Sequence, residues 1–386
     1  MSAGFIPYGR QSVDEADVAA VAEVLRSDWL TQGPTIERFE QAVAQRCGAR
    51  HAAATANATA ALHVACLALD LGPGKRLWTS PNTFLASANC GRYCGAEVDF
   101  VDIDPQTYNL SAGNLEEKLA EAARANRLPQ VLVTVDFAGQ PCEADRVAEL
   151  CRRHGVRIIE DASHAIGASW KGEAVGSGRW ADITVFSFHP VKILTTGEGD
   201  MALTNDAELH RRLALYRSHG MVRDSARLAQ ADEGGWYYEQ QALGFNYRMT
   251  DMQAALGLSQ MRRIDAFLAA RRRLAARYDR LLAGSGLTLP WQHPQALSSY
   301  HLYPVQVAAD RRRAVYDGLR AANIGVQVHY IPVHLQPYYR QFGFKPGDFP
   351  AAEAHYSRAI SLPMYATLTE TQQDFVVEQL LRLTAA

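Results

Sequence analysis

A chain of 386 residues, 48% hydrophobic and 21% charged, is long enough for two domains or for one large domain with an appended lobe. Its formal net charge of −2 excludes a general attraction to nucleic acid or anionic membranes. No apolar run approaches the ~20 residues that span a bilayer.

The opening stretch, MSAGFIPYGRQSVDE, has neither a basic start nor an apolar core, so no signal peptide is expected. Cysteines 47, 66, 90, 94, 142 and 151 show no CxxC pairing and read as free thiols of a cytoplasmic protein, with no metal site. A first helix is predicted over about residues 13–27, ending before DWLTQGP.

From about residue 50 to 205, apolar runs alternate with helical patterns. RLWTS (76–80) and AEVDFVDI (96–103) flank a helical segment at 83–94. QVLVTVDF (130–137) precedes the helical CEADRVAELCRRHG (142–155), and VRIIEDA (156–162), ADITVFSF (181–188) and GDMALTN (199–205) follow. Short β-rich runs separated by helices predict an α/β fold, its sheet mostly parallel and covered on both faces. Ligands on such sheets gather at the carboxyl ends of the strands.

Residues 251–283 predict a long helix with one buried face (Ala255, Leu258, Met261, Ile264, Phe267, Leu268). It would connect a large domain, residues 1–250, to a small C-terminal domain, residues 284–386. In the latter, 300–307 and 325–332 read as strands, and 310–323 and 369–384 as helices.

Four polar features fall near strand ends. In ATANATAALHVACLAL (54–69), Thr55, Asn57 and Thr59 line the start of an apolar helix, whose free N–H groups suit a phosphate. In IIEDASHAIG (158–167), Asp161 and His164 follow two isoleucines, where a carboxylate needs a cation or several donors. In FSFHPVKILTTGEGD (186–200), Ser187 and Lys192 lie five residues apart at a strand exit. In NTFLASAN (82–89), Phe84 offers a flat face. Taken singly, each has an ordinary structural alternative: a helix cap, an aspartate capping a turn, a snorkelling lysine, a core aromatic.

The chain has 34 arginines and only five lysines, which sharpens the question of Lys192. An ammonium in low-dielectric surroundings loses stability, so its pKa falls and the amine becomes nucleophilic, whereas arginine stays protonated. Phosphate donors, an aromatic face, an acid and such a lysine together describe a pyridoxal phosphate pocket. There the acid keeps the pyridine nitrogen protonated, and the lysine holds the aldehyde and moves the proton. A Rossmann-type oxidoreductase is disfavoured, because no GxGxxG follows an early strand.

Nearly end to end, the chain resembles the fold type I (aspartate aminotransferase-like) pyridoxal phosphate-dependent aminotransferases of the DegT/DnrJ/EryC1/StrS type, which act on nucleotide-linked keto sugars. The resemblance is carried by residues 6–34, NATAALH (57–63), SPNTFLASAN (80–89), EDASHAIG (160–167), SFHPVKILTTGEGD (187–200) and GFNYRMTDMQAALG (244–257). It implies Lys192 as the Schiff-base lysine, Asp161 as the partner of the pyridine nitrogen and Phe84 as the stacking ring. It further implies phosphate contacts from Ala58, Thr59 and Ser187, and His164 near the cofactor's phenolic oxygen.

Asn246 would reach the phosphate from a second subunit, making the active unit a homodimer with shared sites, and Thr31 in WLTQGP would help shape the sugar site across that interface. Lys192 separates the chain from the dehydratase branch, in which histidine replaces the lysine. Asp200 departs from the glycine often found at that position. Within the family, residues 327–365 and the N-terminal segment resemble members serving pseudaminic acid biosynthesis. This implies a UDP-linked 4-keto-6-deoxy-2-acetamido sugar as substrate and L-glutamate as donor. His329, Tyr338 and Tyr339 are candidate sugar contacts, and Arg248 a candidate for the donor carboxylate. Other 3- or 4-keto sugars, dTDP-linked ones among them, and a non-catalytic binding protein are the alternatives.

Overall fold

The computed structural model of the chain describes residues 4–230 and 233–385. Seven strands build the central sheet: β1 (His51–Thr55), β2 (Arg76–Thr79), β3 (Glu97–Phe100), β4 (Val131–Val135), β5 (Arg157–Asp161), β6 (Ile183–Ser187) and β7 (Asp200–Thr204). Their spatial order is β1-β7-β6-β5-β4-β2-β3. β7 is antiparallel to both neighbours, and β6, β5, β4, β2 and β3 are paired in parallel.

VLVTV in β4 and ITVFS in β6 are buried throughout. A strand covered on both faces reads as a continuous apolar run rather than an alternation, which is why the core strands are legible in the sequence. β1 is not: HAAAT carries little β preference. Its small side chains are set by packing. Ala53, Ala202 and Val185 align across three strands on the face toward the helix Ala58–Ala68, while Ala54, Met201 and Phe186 align on the other.

The first helix runs Glu15–Leu25, and Asp14 and Asp17 close its start in a reciprocal capping box. A second helix, Pro34–Cys47, was not anticipated, although proline at its first turn and Gly48 in the left-handed region (φ 77°) mark both ends. The single helix expected over 251–283 is two, Asp251–Met261 and Ile264–Leu281. At the break, Arg263 pairs with Asp14 and with the fully buried Asp17, and Gln260 Nε2 donates to Asp17 Oδ2 at 2.5 Å. That anchorage ties the turn to the N-terminal helix.

A separate C-terminal layer holds an antiparallel pair, β8 (Tyr303–Gln306) and β9 (Ala359–Leu362), with the helices Arg312–Ala321 and Glu370–Ala385. Its core joins Tyr278, Tyr303, Leu319, Ile360, Leu362, Val376 and Leu380 with Ile6 from the N-terminal segment. Residues 325–332 form no regular strand, contrary to expectation; β9 is the partner of β8. Gln327 makes only an isolated bridge to Ser361, and the chain then returns over the large sheet, where Val333 N donates to Pro81 O at 2.9 Å. This return delivers His329 and Tyr330 to the carboxyl ends of the parallel strands.

Candidate active site

β5 ends in Asp161 and β6 in Ser187, on neighbouring strands of one sheet. Asp161 is buried, and its carboxylate is held from behind. Ser87 Oγ donates to Oδ2 at 2.5 Å, while the Ser163 N–H and Oγ donate to Oδ1 at 3.2 and 2.6 Å. Thr83 Oγ1 lies 2.7 Å from Ser87 Oγ and extends the network. These donors fix the direction of the carboxyl group.

Lys192 stands on the loop between β6 and β7. The Lys192 N–H donates to His189 O at 2.8 Å, and the loop closes where the Phe188 N–H meets Gly199 O at 3.0 Å and the Thr196 N–H meets Phe188 O at 2.9 Å. Gly199 (φ 153°) has no room for a side chain, since a Cβ there would lie 2.2 Å from Thr196 Oγ1. Burial lowers the Lys192 pKa to about 8, with Asp161 and then Asp200 pulling upward.

The helix Ala58–Ala68 begins beside these groups. Asn57 caps it, its Oδ1 accepting from the Ala60 N–H at 3.0 Å. The cap reading of Asn57 therefore holds, and it leaves the Ala58 and Thr59 N–H groups without partners among the described residues. A bound anion is the natural partner for such groups.

One cavity of about 1010 Å³ gathers Ala58, Thr59, Phe84, Asp161, His164, Ser187, Lys192 and His329. The remaining expected residues lie elsewhere. Asn246 is exposed and does not line the cavity of its own chain, and Thr31 is exposed on a bridge to Thr250. Arg248 lines a different depression, with Glu40 and Arg217. Tyr338 is half exposed outside the cavity. Tyr339 is buried beside Phe100, with its Oη donating to Asn89 Oδ1 at 2.7 Å, so its side chain is spent on packing.

Tyr8, Tyr330 and His301 line the cavity without having been picked out from the sequence. Each arrives from a segment remote in the chain, so no local spacing marks them. His164 Nδ1 accepts from the Ala138 N–H at 3.2 Å, which places the ring proton on Nε2, 3.2 Å from Tyr330 Oη. Burial pushes the His164 pKa well below its usual range, with the Lys192 charge adding to the effect, so the ring is neutral. His329 is likewise neutral, its pKa lowered by burial to about 3, and its Nδ1 lies 2.8 Å from Ser361 Oγ.

Asp200 is fully buried opposite Thr55 on one side and Ser187 on the other, and neither carboxyl oxygen has a partner among the described residues. Burial, then the charge of Asp161, pushes its pKa well above the usual carboxylate range. An amine of lowered pKa, an anchored carboxylate, a flat aromatic and free N–H donors at a helix start match the aldehyde, ring nitrogen, ring face and phosphate of pyridoxal phosphate. The residues present fit that group.

Comparison with known proteins reaches the same chemistry independently. The model of the "DegT/DnrJ/EryC1/StrS aminotransferase family" matches residues 11–381. The chain is 38% identical over 381 residues to the spore coat polysaccharide biosynthesis protein SpsC of Bacillus subtilis, covering 97% of this chain and 96% of that one. It is 34% identical over 382 residues to the UDP-4-amino-4,6-dideoxy-N-acetyl-β-L-altrosamine transaminase of Campylobacter jejuni (97% and 96% covered). To the GDP-perosamine synthase of Caulobacter vibrioides it is 37% identical over 367 residues (93% of each). Among solved structures, Helicobacter pylori PseC, an aminotransferase involved in the biosynthesis of pseudoaminic acid, superposes with a TM-score of 0.89 at 31% identity, covering 99% of both chains. This chain therefore belongs to the DegT/DnrJ/EryC1/StrS aminotransferase family, whose members depend on pyridoxal phosphate and aminate sugars.

Proposed function

We propose that the chain transfers an amino group from L-glutamate to C4 of a UDP-linked 4-keto-6-deoxy-2-acetamido sugar, by a ping-pong mechanism, in pseudaminic acid biosynthesis. The observation that carries this reading is the near full-length likeness to the altrosamine transaminase. The resemblance of residues 327–365 to the same branch adds to it.

In this reading Lys192 and Asp161 are the catalytic residues. Bound pyridoxal phosphate supplies an aldehyde that takes up the amino group and a ring that accepts the electrons of a carbanion. Asp161, with Oδ2 held by Ser87 and Oδ1 by Ser163, presents a fixed negative charge to the ring nitrogen. Lys192 Nζ holds the aldehyde at rest and, once released, carries the proton to and from the reacting carbon. Ala58, Thr59 and Ser187 bind the phosphate, Phe84 covers the ring, and His164 faces the phenolic oxygen as a neutral imidazole. Asn246 completes the phosphate site of the partner subunit, so the working unit is a homodimer. His329 contacts the sugar from the returning segment.

GDP-perosamine synthase, at 37% identity, favours a second reading in which the same chemistry acts on another nucleotide-linked keto sugar. The test is to supply the purified holoprotein with glutamate and with UDP-, GDP- and dTDP-linked 4-keto-6-deoxy sugars in turn, following 2-oxoglutarate and the amino sugar by mass spectrometry. The UDP-linked 2-acetamido substrate is expected to give the highest kcat/KM. A higher value with a GDP- or dTDP-linked sugar moves the assignment, and a cofactor spectrum unchanged by glutamate would replace the enzyme with a binding protein.

A further inference from the structure

We infer that His301 is a further substrate-contacting residue, whose imidazole hydrogen-bonds an oxygen of the sugar substrate; the inference rests on the sugar aminotransferase reading above. Among the described residues His301 is 4% exposed, lines the same cavity as Lys192 and Asp161, and its buried Nδ1 has no hydrogen-bond partner. The other buried histidines of that cavity are engaged: His164 with the Ala138 N–H and Tyr330, His329 with Ser361, and His63 with Tyr247 at 3.4 Å. A buried polar group left unpaired is costly, so an unpaired ring facing a cavity points to a ligand that pairs it.

The backbone holds this ring in place by several independent contacts. Arg271, itself 1% exposed, donates through Nη1 to Tyr300 O, His301 O and Met364 O at 3.3, 3.2 and 3.0 Å, and through Nη2 to Lys192 O at 3.4 Å. One guanidinium thus fixes His301 relative to the lysine. Ser299 Oγ donates to His164 O at 2.6 Å, and the Leu302 N–H to Ala138 O at 3.3 Å. Tyr300 sits at φ 50°, a left-handed conformation unfavourable for a tyrosine, and its neighbours over-determine it. The result places the His301 ring 4.4 Å from that of His164, centroid to centroid.

The charge environment selects the ligand. Burial, with the Lys192 and Arg271 charges adding to it, lowers the His301 pKa well below its usual range and keeps the ring neutral. A neutral imidazole offers one donor and one acceptor, which matches a sugar hydroxyl or carbonyl oxygen.

The experiment separates the two half-reactions of the holoenzyme in His301→Phe. The glutamate half-reaction is read from the cofactor absorbance, and the sugar half-reaction from turnover of the UDP-linked 4-keto-6-deoxy-2-acetamido sugar. The expected result is a fall of about 10–100-fold in kcat/KM for the sugar. The glutamate half-reaction should stay within about twofold, and His301→Gln should recover part of the loss. Equal losses in both half-reactions, or no loss with the sugar, overturn the inference. Should the phenylalanine variant fail to bind cofactor, His301→Asn carries the same comparison. A wild-type protein that aminates no keto sugar overturns the proposed function and this inference together, whereas an active wild type matched by the variant overturns this inference alone.

Discussion

Lys192 Nζ, lowered by burial to a pKa of about 8, is about one-tenth neutral at pH 7, against well under a thousandth for an ordinary lysine. Capture of pyridoxal phosphate by the apoprotein should therefore accelerate about tenfold per pH unit below that value and level off above pH ~8, as stopped-flow absorbance would record. Lys192→Ala should show no such phase yet still take up cofactor non-covalently. Asp161→Asn keeps the Ser87 and Ser163 contacts sterically but removes the charge facing the ring. Turnover should drop by about 10²-fold or more and cofactor affinity should weaken, measurable by steady-state rates and equilibrium dialysis. Wild-type rates in that variant would remove Asp161 from the electron-sink role. Both residues were legible in the sequence because each violates its local context, a lysine and an aspartate at the ends of apolar strands. His301 and Tyr330 were not, because their contexts, SYHLYP and VHYIP, look like ordinary strand.

At the scale of elements, β7 begins with a residue that lowers stability. Asp200 is fully buried, with both oxygens unpaired among the described residues and a folded pKa above the unfolded one. A carboxyl with a raised folded pKa binds its proton more tightly in the native state. Its destabilising contribution is absent below the unfolded pKa of ~3.9 and grows as pH rises from there toward the folded pKa. Asp200→Asn should raise Tm at pH 7–8 and leave it nearly unchanged at pH 4, a difference that calorimetry at the two pH values would show. A variant no more stable at pH 8 than the parent would mean that the acid has a partner in the folded protein. The strands β2 to β7 were readable from apolar runs, whereas the break within 251–283 was not. Its periodicity continues across Arg262 and Arg263, and the pairing of Arg263 with Asp14 and with the buried Asp17, 246 residues away, makes the interruption favourable.

At the scale of the whole molecule, the proposed homodimer makes a prediction that neither chain makes alone. Asn246 faces outward, away from the cavity of its own chain, as a residue serving a partner's site should. Lys192→Ala and Asn246→Ala should each be impaired alone. Mixed by co-expression, they should regain about a quarter of the wild-type activity, since half the dimers are mixed and each carries one intact site. Complementation would be absent if Asn246 served its own chain, and sedimentation should give a particle of twice 42.5 kDa. Among the described residues no helix is long and apolar enough to cross a membrane.

The sequence alone determined the α/β class, the parallel core and the lysine, acid and helix start that meet at the cofactor site. These follow from hydrophobic runs and from polar residues placed where burial would otherwise be unfavourable, both of which are local signals. The tertiary structure decided the rest: the Ser87 hydroxyl against Asp161, the histidine and tyrosine brought in by the C-terminal layer, and the packing of Tyr339 beside Phe100. Contacts such as Ser87 with Asp161, 74 positions apart, or Tyr330 with His164, 166 apart, leave no trace in local spacing, because chain geometry rather than side-chain chemistry brings the two together.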